Sequence, residues 1–150
     1  MAETQTPSAG WGGEFHLSTD GTEANLEELF HVVSFGLPND EVEEIETTHL
    51  KSPNRRREFI AGMRDGGEVE VVLNYRPGSD TDTMILAALA AGTVRACRFV
   101  IPNNGVPAYQ VDTSCIVRGY DRGTVEANGK MEATLTLRIT GAQTQEAVVP

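Results

Sequence analysis

The side chains with the most chemical potential in this sequence are its clustered acids, one run of arginines, three histidines and two cysteines. Glu43-Glu44-Glu46 and the Glu68/Glu70 pair supply adjacent carboxylates. A glycosidase needs two carboxyls facing each other across a sugar cleft, with aromatic platforms beside them. Aromatic residues make up 6% of the chain and none is grouped with these acids, so a solvated acidic sheet face is the simpler reading. Cys97 and Cys115 lack the flanking partners of a zinc site and read as two small buried hydrophobes rather than a bridge. Asp80-Thr81-Asp82 opens like a calcium loop but lacks its glycine and closing glutamate, which leaves helix capping. Gly62, Gly66 and Gly67 fit neither the dinucleotide nor the P-loop spacing. His16, His31 and His49 stand beside no nucleophile with an orienting group. No catalytic residue, metal ligand or cofactor site is assigned.

Arg55-Arg56-Arg57 is the one basic cluster. Its side chains suit phosphates or an acidic protein surface, and a solvated loop is the third option. With 22 acidic side chains per copy, a second copy is an economical partner. The run lies in a long polar stretch, residues 48–67, that also holds Phe59, Ile60 and Met63. A loop of that length in a 150-residue domain is unusual and tends to be functional. Ordering of the loop on a neighbour explains its length and its apolar content together.

The rest of the chain must position these groups. At 150 residues, 39% hydrophobic and 23% charged, it reads as one globular domain with a sizeable core. The net charge is −10, carried by the first half: residues 1–75 hold 15 acids and 5 bases, residues 76–150 hold 7 and 7. That balance excludes a broad nucleic-acid-gripping face. No apolar run reaches membrane-spanning length, and the first residues do not read as a secretory signal.

Residues 1–15 read as an irregular arm, with Trp11 anchoring it either on a neighbour or on its own core. Leu26–Phe35 reads as the first strand, with a short helix as competitor. Glu41–Thr48 and Glu68–Tyr75 are strands; in the latter Val69, Val71, Leu73 and Tyr75 share one face and Glu68 and Glu70 the other. As the strands on either side of the long loop, they are expected to form its hairpin stem. Residues 79–92 form the one helix, capped by Ser79 or Asp80 and ended by Gly92. Val94–Ile101, Ala108–Arg118 and Lys130–Thr140 are further strands, with turn signals at Pro102-Asn103-Asn104-Gly105 and Asn128-Gly129. Residues 141–150 read as a free arm. Segregated strands with a single helix imply a mainly β fold, a β-sandwich or partly rolled barrel with a flanking helix.

Residues 45–75 closely resemble the major tail tube proteins of long, non-contractile-tailed, lambda-like bacteriophages. Ile45, Thr48, His49 and Ser52 match the opening of the family phrase, Glu58-Phe59-Ile60-Ala61-Gly62 and Asp65-Gly66-Gly67-Glu68-Val69 its middle, and Leu73-Asn74-Tyr75 its end. The helix and Lys130–Gly141 are also similar. The resemblance implies a non-enzymatic virion protein, made in the bacterial host cytoplasm. It implies hexameric rings that stack into a tube, with hairpins joining a continuous inter-subunit barrel. Expected partners are other copies, the tape-measure protein, the tail terminator, baseplate or tail-tip proteins, and DNA as transient cargo. The long loop is expected to reach the adjacent ring through His49, Lys51, Arg55, Arg56, Arg57, Glu58, Phe59, Ile60, Met63 and Arg64. Glu44, Glu46, Glu68, Glu70, Asp112 and Glu132 are the candidates for the channel lining. The rival readings are a related ring protein, such as a terminator or contractile-system tube component, and a small β-sandwich binding module.

Overall fold

A computed structural model describes residues 10–148 apart from 21, 23 and 24. Seven antiparallel strands form one sheet in the order β2-β1-β7-β8-β9-β6-β3. They are β1 (Glu14–Ser18), β2 (Leu26–Glu28), β3 (Val32–Phe35), β6 (Glu68–Asn74), β7 (Arg95–Asn103), β8 (Val106–Asp121) and β9 (Glu132–Ala147). The remaining two, β4 (Glu41–Glu46) and β5 (Phe59–Asp65), pair only with each other. The large sheet curls until its margins approach. Phe35 of β3 stands 5.7 Å from Phe99 of β7, and Phe99 is 5.0 Å from Phe15 of β1. This is the partly rolled barrel that the segregated strands imply.

Alternation decides which face turns inward. Val69, Val71 and Leu73, then Ala133, Leu135, Leu137 and Ile139, then Val111, Cys115 and Val117, and lastly Cys97, Phe99, Phe15 and Leu17 fill the interior. Cys97 and Cys115 are buried free thiols in this core, and contact with Cys115 together with burial pushes the Cys97 thiol well above its usual range. The helix α1 (Asp80–Ala91) closes the flank with Ile85 and Ala88. Ser79 caps it by accepting from the Asp82 N–H at 3.2 Å, and Gly92 ends it at φ 63°. The Tyr120 hydroxyl donates to Asp82 at 3.1 Å, and burial with that bond raises the Tyr120 pKa. Asn104 (φ 53°) and Gly105 (φ 81°) make the two-residue β7–β8 turn, where both residues must be left-handed.

Several sequence expectations are corrected. Leu26–Phe35 is two strands on opposite margins of the sheet: β2 pairs with β1, β3 with β6. Between them Leu29 drops into the core, the Phe30 N–H donates to Thr81 Oγ1 at 3.1 Å, and His31 takes φ 67°. An unbroken β-like run thus conceals a crossing. β1 lies in part within the presumed N-terminal arm, of which residues 1–9 fall outside the described residues. The presumed C-terminal arm belongs to β9 up to Ala147, paired with β8 from Tyr109 to Asp121, while residues 149 and 150 fall outside the described residues. Asn128-Gly129 lies inside a longer connection rather than making a two-residue hairpin turn.

Candidate functional site

The 48–67 stretch is not one long loop. Phe59–Asp65 folds back as β5 onto β4, with Glu46 opposite Phe59, Ile45 opposite Ile60 and Glu44 opposite Ala61. The hairpin stem is therefore β4–β5 rather than β4 with β6, because β6 is occupied on both edges by β9 and β3. No residue of β4 or β5 is buried. One face carries Glu44, Glu46, Phe59 and Ala61; the other carries Ile45, Ile60 and Gly62, and the register shifts before Val42 meets Arg64. Phe59 and Ile60 are about half exposed and Met63 is 83% exposed. Both faces of this arm thus present apolar side chains to solvent.

The arm is built rather than slack. At its root Arg138 donates to Asp65 at 2.8 Å, and Gln143 donates to Asp40 at 3.2 Å. Gly66 lies so close to β9 that a Cβ there would stand 2.7 Å from Ile139 Cγ2. The Gly67 N–H and then Arg138 hold the Asp65 carboxyl below its usual pKa. At the tip the Ser52 hydroxyl accepts from the His49 N–H and donates to Glu58, whose own N–H donates to Thr48 Oγ1 at 2.8 Å. His49 Nε2 lies 3.5 Å from Glu58. A 3-10 turn at Pro53–Arg55, with Asn54 and Arg55 at positive φ, displays Arg55, Arg56 and Arg57 at the surface. Arg57 reaches Glu46 at 4.0 Å; Lys51, Arg55, Arg56 and Arg64 form no ion pair among the described residues. The loop expected to order only on a neighbour has its own framework.

The candidate channel residues separate into two groups. Glu44 and Glu46 lie on the arm. Glu68, Glu70, Asp112 and Glu132 lie on the outward face of the rolled sheet, among Ser114, Thr134, Thr136 and Thr140. Most of these acids are locally balanced. Glu68 pairs with Arg118 and stands opposite Arg138, Arg98 Nε meets Asp112 at 2.6 Å, and Lys130 meets Glu132 at 3.0 Å. Glu70 is without an ion-pair partner among the described residues. This face is a hydroxyl and ion-pair ladder, which the acids alone did not suggest. Arg98 and Arg118 are the residues sequence reasoning missed; their signal was an arginine at an outward position of each neighbouring strand.

Trp11 lies against the backbone of Gly105, where any Cβ would collide with its ring, yet the ring is 80% exposed. Its anchor is therefore within its own chain, on the β7–β8 turn. Among the described residues no group of three His, Cys, Asp or Glu is placed to hold a metal ion. Among the same residues no helix is long and apolar enough to cross a membrane.

The model of the lambda phage tail tube protein family matches residues 19–146. The chain belongs to that family. Its rolled sheet, single helix and projecting arm are those of a structural protein of the phage tail, as the resemblance in residues 45–75 led one to expect. No curated protein sequence matches the chain significantly. Solved structures share its fold. The tail of the empty GTA particle, refined helically with six-fold symmetry, is 20% identical with a TM-score of 0.68, covering 87% of this chain and 92% of that one. The SPP1 tail tube is 15% identical with a TM-score of 0.68, covering 96% and 81%. The tube-terminating cap of the anti-feeding prophage is 13% identical with a TM-score of 0.73, covering 99% and 96%.

Proposed function

We propose that copies of this tail tube protein close into six-membered rings, that the rings stack through arm β4–β5, and that the outward ladder face lines the channel. The single observation that carries the reading is the arm. A lone two-stranded hairpin is marginal in water, and this one keeps Ile45, Phe59, Ile60 and Met63 exposed. Burial against a neighbouring ring removes that apolar area from water at about 25 cal/mol per Å². Six-fold symmetry in the GTA tail and a tube built in SPP1 support the ring and the stack. A closed ring also leaves the margins β2 and β3 no free edge for disordered pairing.

The channel assignment follows from what a conduit must avoid. Duplex DNA carries one negative charge per ~1.7 Å of axis, and unpaired arginines on the wall would hold it. On the ladder face Arg98 and Arg118 are each occupied by a carboxylate, and threonines separate the pairs. Such a wall lets DNA pass without capture once the tape-measure protein has left. Capping and baseplate proteins are the expected partners at the two ends, as in the anti-feeding prophage.

Negative-stain microscopy of the concentrated protein tests the assembly, with long tubes of stacked rings as the expected result. Isolated rings at every concentration would favour a terminator-like role, and particles that never pass the size of one chain would overturn the reading. Reversing Arg55, Arg56 and Arg57 to glutamate leaves a folded subunit that does not extend tubes. Abundant tubes of normal length from that variant would remove the docking role. Changing Asp112 to Ala frees Arg98 and slows DNA release from assembled tails; unchanged release kinetics would remove the channel assignment.

A further inference from the structure

The molecule carries a second unpartnered surface, beside α1. Phe30 is held outward, 58% exposed, because its N–H is fixed on Thr81 and the next residue is left-handed. Phe30, Thr81 and Met84 line a groove of about 280 Å³ whose rim is Glu27, Glu28 and Asp80. Helical spacing continues the groove as a stripe through Asp80, Met84, Ala87 and Ala91, the two alanines exposed. Beyond Asp82 the helix has no charged residue, so this flank is unlike that of a solvated surface helix.

The rim lacks a cation. Glu27, Glu28 and Asp80 form no ion pair among the described residues. Glu28 instead meets Glu14 across the β1–β2 pairing, and burial together with that carboxylate raises its pKa. The arm tip has the opposite deficit, with Lys51, Arg55 and Arg56 lacking an acid. Within one chain the two cannot easily meet, since the arm is rooted on β9 while the groove lies beside β2 at the far margin of the sheet.

We propose that this groove is the seat of arm β4–β5 from a second copy, with Arg55 and Arg56 against Glu27, Glu28 and Asp80, and the arm face that carries Ile45 and Ile60 against Phe30 and Met84. The inference rests on the tube reading and names the surface on which the arm lands. The order of chemistry matches on both sides: a basic tip followed by the Ile45 and Ile60 face of the stem, and an acidic helix start followed by an apolar stripe. The two surfaces differ, so the contact is head-to-tail and propagates from copy to copy, as a tube requires.

A charge swap tests it. Arg55→Glu with Arg56→Glu, and separately Glu27→Lys with Glu28→Lys, each raises the concentration at which tubes first form about tenfold or more. Combining all four restores assembly. Either reversal assembling like the parent, or a folded combined variant that stays dispersed, overturns the pairing. A second arm uses tubes that do form. Arg56→Cys with Glu28→Cys yields a ladder of covalent oligomers under mild oxidation, absent from either single variant, because Cys97 and Cys115 are buried. Tubes of that variant without a ladder overturn the pairing while leaving the tube reading intact. Failure of the parent chain to form tubes strikes the tube reading instead.

Discussion

Strands β4 and β6 start from almost the same text, Glu-Val-Glu-Glu-Ile-Glu and Glu-Val-Glu-Val-Val-Leu-Asn, and come to opposite ends. In β6 every second residue is buried, Val69, Val71 and Leu73 among them. In β4 nothing is buried. The difference does not lie in local propensity. β6 has a neighbour on each edge and a rolled sheet behind it, whereas β4 has β5 alone. Apolar residues of the body are buried within the chain; those of the arm are left at its surface.

That contrast is breakable. The largest effect is expected in the body. Phe99→Ala empties the point where β3 packs across onto β7 and costs about 3–5 kcal/mol, read as a shift in the denaturation midpoint of the dispersed subunit. A cost under about 1 kcal/mol would mean that the roll does not depend on this contact. Next comes the helix start: Ser79→Ala removes the hydroxyl that accepts from Asp82 and costs about 1 kcal/mol. In the arm, Phe59→Ala changes subunit stability by no more than about 0.5 kcal/mol, yet impairs tube formation. Equal losses for Phe59→Ala and Phe99→Ala would erase the distinction between body and arm.

The smallest effect carries a sign that depends on pH. Glu28 has its pKa raised in the folded chain above the ordinary 4.5, so its carboxyl favours the fold below that value and loses this contribution as pH rises through the folded pKa. Glu14 is the charge that faces it, with His16 opposite in register. Glu28→Gln therefore raises the thermal midpoint of the dispersed subunit at pH 7, and the gain fades below about pH 4.5. A gain that persists unchanged at low pH would remove the carboxylate pair as its cause.

Much of the body was legible in the sequence because burial there follows a period of two over long runs. The inward sets of β6 and β9, the caps of α1 and the Asn104-Gly105 turn all stand where the pattern puts them. Three features were not legible, each for a physical reason. β1 has five residues and only Phe15 and Leu17 to announce it. The break at His31 sits inside a run of good strand formers, and tertiary demands from Thr81 and the core override them. β5 hides in a polar stretch because both its faces are exposed in the single chain, so no burial period marks it. The basic tip was legible by composition, whereas its proposed seat depends on Phe30 turning outward, which no local pattern encodes.

The crossing from β2 to β3 also has a mechanical consequence. Residues 26–35 lace one border of the rolled sheet to the other, fastened midway by Leu29 in the interior and by the Phe30–Thr81 bond. A force that peels either border must drag the opposite one with it. In the proposed tube, the wall of each subunit then resists bending and tension as a stitched sleeve.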